Sequence, residues 1–170
     1  RVGGMQIFRT ESFDTFGKIL PRATEIATRI SVIYVALTLI CALCYLGAGM
    51  GAFDAIVHAM TTIATGGFAN YDASFAAFDP AVSYVATLFM LLAALPFVRF
   101  VQLSAGTARP MLRDTQIHAF LATALVIVFL IAGWNLWQQK TIDEGAVRAA
   151  AFNAVSLMTG TGYANADYMQ

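Results

Sequence analysis

The sequence predicts an all-α membrane protein of tandem units, each a span, a short pore-type helix, a Thr/Gly loop and a returning span, the second unit incomplete. Two observations carry this. Residues are 59% hydrophobic and only 12% charged, against about 45–50% and about 25% in soluble domains. The stretch Thr65-Gly66-Gly67-Phe68-Ala69-Asn70-Tyr71-Asp72 also returns, in register, as Gly160-Thr161-Gly162-Tyr163-Ala164-Asn165-Ala166-Asp167. Upstream of each copy Ala59 and Thr61 align with Ala154 and Ser156.

Residues 1–29 mix polar and apolar side chains, with Gly3-Gly4 and Pro21 as breakers. They read as a cytoplasmic linker carrying a short interfacial helix around Phe8–Leu20. The first unit, 30–103, opens with an uncharged span over Ile30–Leu46, which Gly47, Gly49 and Gly51 close. Ala52–Ala64 is too short to cross about 30 Å of hydrocarbon and reads as a re-entrant helix broken by Gly66-Gly67. Phe68–Pro80 turns back, and Ala81–Val98 crosses inward with a kink at Pro96.

Residues 104–118 form a basic loop. The second unit, 119–170, has a span over Ala119–Trp137, whose Trp134 and Trp137 suit the membrane interface. A short helix at about Gly145–Met158 leads into Gly160–Tyr163, and no returning span follows.

Net charge is zero, but its distribution is uneven. Arg1, Arg9, Lys18, Arg22 and Arg29 precede the first span, and Arg99, Arg109 and Arg113 follow the second. The other extramembrane regions carry only Lys140 and Arg148, beside Asp54, Asp72, Asp79, Asp143, Glu144 and Asp167. The positive-inside rule therefore places both Thr/Gly loops on the outer side. An acidic outer face concentrates cations. Cys41 and Cys44 form a C-x-x-C within a span and read as buried inert thiols.

Backbone that is neither helix nor closed sheet cannot face lipid, because each unsatisfied N–H or C=O costs several kcal/mol there. A Thr/Gly loop at membrane depth is buried in protein or lines a wet cavity. Glycine permits conformations that aim successive carbonyls toward one axis, and such carbonyls can replace the hydration shell of a monovalent cation. Thr65, Gly66, Gly67, Phe68, Gly160, Thr161, Gly162 and Tyr163 are thus the candidate ion-binding positions. Neither loop holds a carboxylate; Asp72 and Asp167 stand beyond the central glycines, at the outer mouth.

These residues resemble the Trk/Ktr/HKT superfamily of potassium and sodium uptake proteins, most closely its bacterial TrkH/TrkG branch. The resemblance rests on the run from Arg1 to Glu11, on Thr61–Phe68 and on Thr159–Tyr163, and it extends over essentially the whole chain. It implies a potassium-channel-like build of four units, of which this chain holds the second and most of the third. It also implies K⁺ as the transported ion, bound by carbonyls around Gly67 and Gly162, with no covalent cofactor. The same resemblance implies a multi-pass protein of the bacterial inner membrane with its filter loops toward the periplasm. A homodimer and a cytoplasmic nucleotide-binding ring of the TrkA/KtrA type are the implied partners. Lacking the first and fourth units and the last span of the third, the piece alone is expected not to conduct.

His58, opposite Asn153, reads chiefly as a hydrogen-bonded packing residue, and His118 as an interfacial one. Phe68 and Tyr163 are placed to brace the loops or to anchor at the interface. Thr61 and Ser156 can bond either their own helices or the loops; the sequence leaves both open. A sodium-preferring relative is the nearest rival reading and a non-conducting membrane module a more distant one. A membrane enzyme is disfavoured, since no Asp, Glu or His lies within the three spans. Nothing points to nucleic acid.

Overall fold

The computed structural model describes the backbone of residues 4–139 and 143–165, and side chains at 24–134, 137 and 143–165. Described residues form helices and turns without a strand. Helix α1, Gly4–Gly47, is unbroken over 44 residues. The expected short interfacial helix is thus the first part of a longer one, and Pro21 does not stop it. Proline deletes one helical N–H and crowds a carbonyl four residues back, costing about 3 kcal/mol. Helix-forming neighbours on both sides, from Lys18 to Leu20 and from Arg22 to Glu25, maintain the remaining bonds.

The apolar part of α1, Thr24–Gly47, has 24 residues and contains an 18-residue window of mean hydropathy 2.3. At about 1.5 Å per residue it reaches about 36 Å, enough to cross the hydrocarbon. Helix α2, Ala52–Ile63, is short and folds back against α1. After a 3-10 turn at Ser74–Ala77, α3 runs Pro80–Ala93 and α4 Phe97–Ser104, with Pro at the start of the first.

The expected span Ala81–Val98 with a kink at Pro96 is in fact two helices meeting at 89°. Pro96 supplies no N–H, and it biases Leu95 away from helical backbone. The α3 end closes instead through Ala94 N to Met90 O (3.1 Å) and Leu95 N to Leu92 O (3.2 Å). A brief helix α5, Arg109–Leu112, precedes α6, Thr115–Gln139, whose Thr115–Trp134 part is the second long apolar segment. Helix α7, Glu144–Met158, ends the described fold and packs on α6 and α3.

The core lies where α1, α2, α3 and α7 converge. Cys41 and Tyr45 of α1 meet Ala55, Ala59 and Ile63 of α2, Ala86 and Met90 of α3, and Phe152 and Val155 of α7. Small residues at these crossings let apolar helices approach closely. By contrast, only 17% of the α1 span window and 11% of that of α6 is buried. Leu39, Leu43, Leu125, Phe129 and Leu130 are all exposed, a surface that suits lipid rather than water. The C-x-x-C pair divides accordingly: Cys41 is buried as expected, but Cys44 is exposed.

At the opposite end, Leu95, Phe100 and Ile117 form a second cluster. Arg99 Nε donates to Asp114 Oδ2 (2.7 Å), and the Gln116 backbone N–H donates to Asp114 Oδ1 (2.9 Å). That backbone bond, followed by the Arg99 guanidinium, lowers the Asp114 carboxyl below its ordinary range.

Candidate functional site

Both Thr/Gly segments begin as the same helix-terminating turn. After α2, Gly66 N bonds Thr61 O (2.7 Å) and Thr65 N bonds Thr62 O (3.0 Å). After α7, Thr161 N bonds Ser156 O (3.0 Å) and Gly160 N bonds Leu157 O (3.2 Å). This paired pattern needs a left-handed residue just past the helix, a position glycine favours. Gly160 fills it at φ +72°, whereas the first turn uses Thr65 at φ +49°. Two residues on, Gly67 (φ +68°) and Gly162 (φ +87°) are left-handed again. Thus four non-standard backbone positions fall at matching places in the two turns.

The turns touch. A methyl added to Gly67 would sit 1.9 Å from the Thr161 carbonyl oxygen and 3.3 Å from the Gly162 carbonyl carbon. Only a hydrogen fits between them. Among the described residues no donor reaches the carbonyl oxygens of Thr65, Gly66, Gly67, Gly160, Thr161 or Gly162. Helices α2 and α7 end at these segments, so their negative dipole ends lie beside six unpartnered oxygens.

Phe68 and Tyr163 carry different carbonyls. Thr61 Oγ1 donates to Phe68 O (2.9 Å), and Ser156 Oγ donates to Tyr163 O (2.8 Å). Both hydroxyls left open by the sequence reach the loops, each tying its helix to the carbonyl of the residue after the central glycine, while Thr61 Oγ1 also has its own helix's Val57 O (3.3 Å) and His58 O (3.2 Å) within reach. The Phe68 and Tyr163 oxygens thus each have one lone-pair site already engaged, unlike the six before them.

The two aromatic rings part company. Tyr163 is 1% exposed and Phe68 76% exposed. The Tyr163 ring packs on Phe75 with centroids 4.4 Å apart. Its hydroxyl reaches α2, contacting Thr61 Oγ1, Thr62 Oγ1 (3.3 Å) and His58 O (3.2 Å). Tyr45 OH bonds Thr62 Oγ1 (2.8 Å) from α1. His58 is fully buried, its Nδ1 bonded to Asp54 O (2.8 Å) and its ring edge-on to Phe75 and Phe78. It packs as expected, and in the other turn Asn153 Oδ1 accepts from Asn165 N (3.4 Å).

Past the glycines the two loops stay joined, with Phe75 N donating to Ala164 O (2.8 Å) and Ala164 N to Ser74 Oγ (3.3 Å). Asp72 is exposed, and Asp167 lies outside the described residues. An acid not singled out from the sequence, Asp54, anchors the first loop by accepting from Asn70 Nδ2 (2.7 Å) and Tyr71 OH (3.1 Å). The bond and the charge of Asp54 raise the Tyr71 phenol above its ordinary value. Asp54 in the first turn of α2 was the available signal, since acids favour that position.

A profile of TrkH, described as a cation transport protein, matches residues 2–170. The chain belongs to the TrkH family. It is 42% identical over 170 residues to the Trk system potassium uptake protein TrkI of Halomonas elongata, covering 99% of this chain and 34% of the relative. Against the Trk system potassium uptake protein TrkH of Escherichia coli K12 it is 35% identical over 168 residues, covering 95% and 35%. The crystal structure of the potassium transporter TrkH from Vibrio parahaemolyticus superposes with a TM-score of 0.80 at 31% identity, over 86% of this chain and 32% of that one. The chain therefore spans about a third of the length of the relatives it matches. As members of a family of cation transport proteins, these relatives are transporters rather than enzymes.

Proposed function

We propose that this stretch supplies two adjacent quarters of a carbonyl-lined K⁺ path in a Trk-type uptake protein of the bacterial cytoplasmic membrane. The meeting of the two turns supports this most directly: Gly67 lies against the Thr161 carbonyl, and six carbonyl oxygens there have no described donor. The names of the relatives, potassium uptake proteins, point to the ion.

In this reading, oxygens of Thr65–Gly67 and Gly160–Gly162 replace water around a partly dehydrated K⁺. The C-terminal ends of α2 and α7 add negative potential without a fixed carboxylate. Thr61 and Ser156 hold the outer peptides in place, and Gly67 permits the close approach. The acids Asp54, Asp72, Asp79, Asp143 and Glu144 lie on the periplasmic side, and Arg99, Arg109 and Arg113 face the cytoplasm. The dimer and the nucleotide-binding ring rest on the family resemblance.

Gly162→Ala tests the reading, because a methyl there meets nothing within 4 Å in this chain but strains a left-handed backbone. In the full-length protein, competitive Rb⁺ and Na⁺ uptake should show the preference for Rb⁺ reduced about tenfold, equivalent to about 1.4 kcal/mol. An unchanged preference at normal membrane levels would sink the filter reading. A parent protein already favouring Na⁺ would replace K⁺ as the cargo.

A further inference from the structure

We propose that Tyr163 is a positioning residue for ion preference that acts across the boundary between the two turns. It follows the second central glycine in sequence, yet its hydroxyl sits on the helix that carries the first turn. The inference rests on the filter reading above and adds a residue and a route to it.

Tyr163 O–H has three acceptors in reach, Thr61 Oγ1, Thr62 Oγ1 (3.3 Å) and His58 O (3.2 Å); Thr61 Oγ1 is the nearest, and that choice gives the route. Each hydroxyl has one proton to give. Tyr163 O–H can donate to Thr61 Oγ1, which donates in turn to Phe68 O at 2.9 Å. In parallel, Tyr45 O–H donates to Thr62 Oγ1 at 2.8 Å, which donates to His58 O at 2.6 Å. This assignment uses every proton once and leaves each threonine oxygen both accepting and donating. Such chains strengthen each member. Thr61 Oγ1 also has Val57 O (3.3 Å) and His58 O (3.2 Å) within reach. These are the acceptors a helical threonine ordinarily takes. Tyr163 holds the Thr61 oxygen from the other side, and the proton goes to the loop. Fixing the Phe68 carbonyl holds the Phe68–Ala69 peptide, one peptide beyond that of Gly67, and so limits how the unpartnered oxygens just before it can turn.

The second turn lacks this arrangement among the described residues. Ser156 bonds the Tyr163 carbonyl, but no aromatic hydroxyl meets Ser156, and the position matching Thr62 is Leu157, which is exposed. The relay therefore runs one way, from the second turn to the first.

Tyr163→Phe, made in the full-length transporter, keeps the ring and removes the hydroxyl. Competitive Rb⁺ and Na⁺ uptake should show the preference for Rb⁺ reduced about fivefold, the worth of one neutral hydrogen bond, at unchanged membrane level. Thr61→Val should reproduce that loss, Thr61→Ser should return the ratio toward that of the parent, and Tyr163→Phe with Thr61→Val should be no worse than Thr61→Val alone. Additive losses, or an unchanged ratio in Tyr163→Phe beside a reduced one in Thr61→Val, would overturn the relay and leave Tyr163 a space-filler. If Tyr163→Phe does not accumulate, the comparison of Thr61→Val with Thr61→Ser decides, equal ratios in the two overturning it. Failure of the filter reading is separately visible, since Gly162→Ala would then also leave the ratio unchanged.

Discussion

The two Thr/Gly turns share their backbone and differ in their surroundings. Both end a short helix with the same pair of bonds, and both place left-handed residues at matching positions. Yet Gly67 is crowded by the other turn while Gly162 is open, and Tyr163 is buried where Phe68 is exposed. The backbone of such a turn is thus a local property, set by the helix end and the glycines. What a given side chain does there depends on which neighbour the chain provides.

The largest expected difference tests this crowding. Gly67→Ala places a carbon 1.9 Å from a backbone oxygen, which no side-chain movement relieves, so a loss above about 4 kcal/mol is expected. Gly162→Ala should cost only the left-handed strain, about 1–2 kcal/mol. Thermal midpoints in detergent separate the two, and similar shifts would show that the turns do not meet as described.

Next come the aromatic residues. Tyr163→Ala empties a buried site and should cost about 3–5 kcal/mol, whereas Phe68→Ala should cost under about 1 kcal/mol for this stretch. An equal loss for Phe68→Ala in the full-length protein would reveal a socket supplied by residues outside this stretch. A smaller effect lies at the helix ends. Thr65→Gly relieves a left-handed threonine and should raise stability by about 1 kcal/mol, and Gly160→Thr should lower it by about as much. Equal and opposite midpoint shifts are the signature. Smallest is Asp54, which ties down the first loop alone, since Ala149 occupies the matching position in α7. Asp54→Ala should shift the midpoint by less than about 1 kcal/mol, read most directly as faster hydrogen exchange confined to Asn70 and Tyr71.

Much of this was legible beforehand. Two long apolar segments, two short helices and the paired turns follow from hydropathy, helix length and the repeated Thr/Gly motif. The glycines at the matching left-handed positions could be named from that recurrence alone. Three features were not legible. Pro21 reads as a breaker, but a single missing N–H is outweighed by good helix formers around it. Pro96 reads as a kink, and the helix end before it instead turns the chain through 89°. The third is the socket for Tyr163. Periodicity describes how a segment faces its own neighbours and contains nothing about contacts between residues such as Thr61 and Tyr163, over a hundred positions apart.

One consequence concerns biosynthesis. Because the Tyr163 hydroxyl docks on α2, its receptor is translated and inserted well before Tyr163 leaves the ribosome. The site that receives the Tyr163 hydroxyl is therefore synthesised first, and the later turn meets a seat already made. Delayed insertion of α2 would leave that tyrosine without its seat.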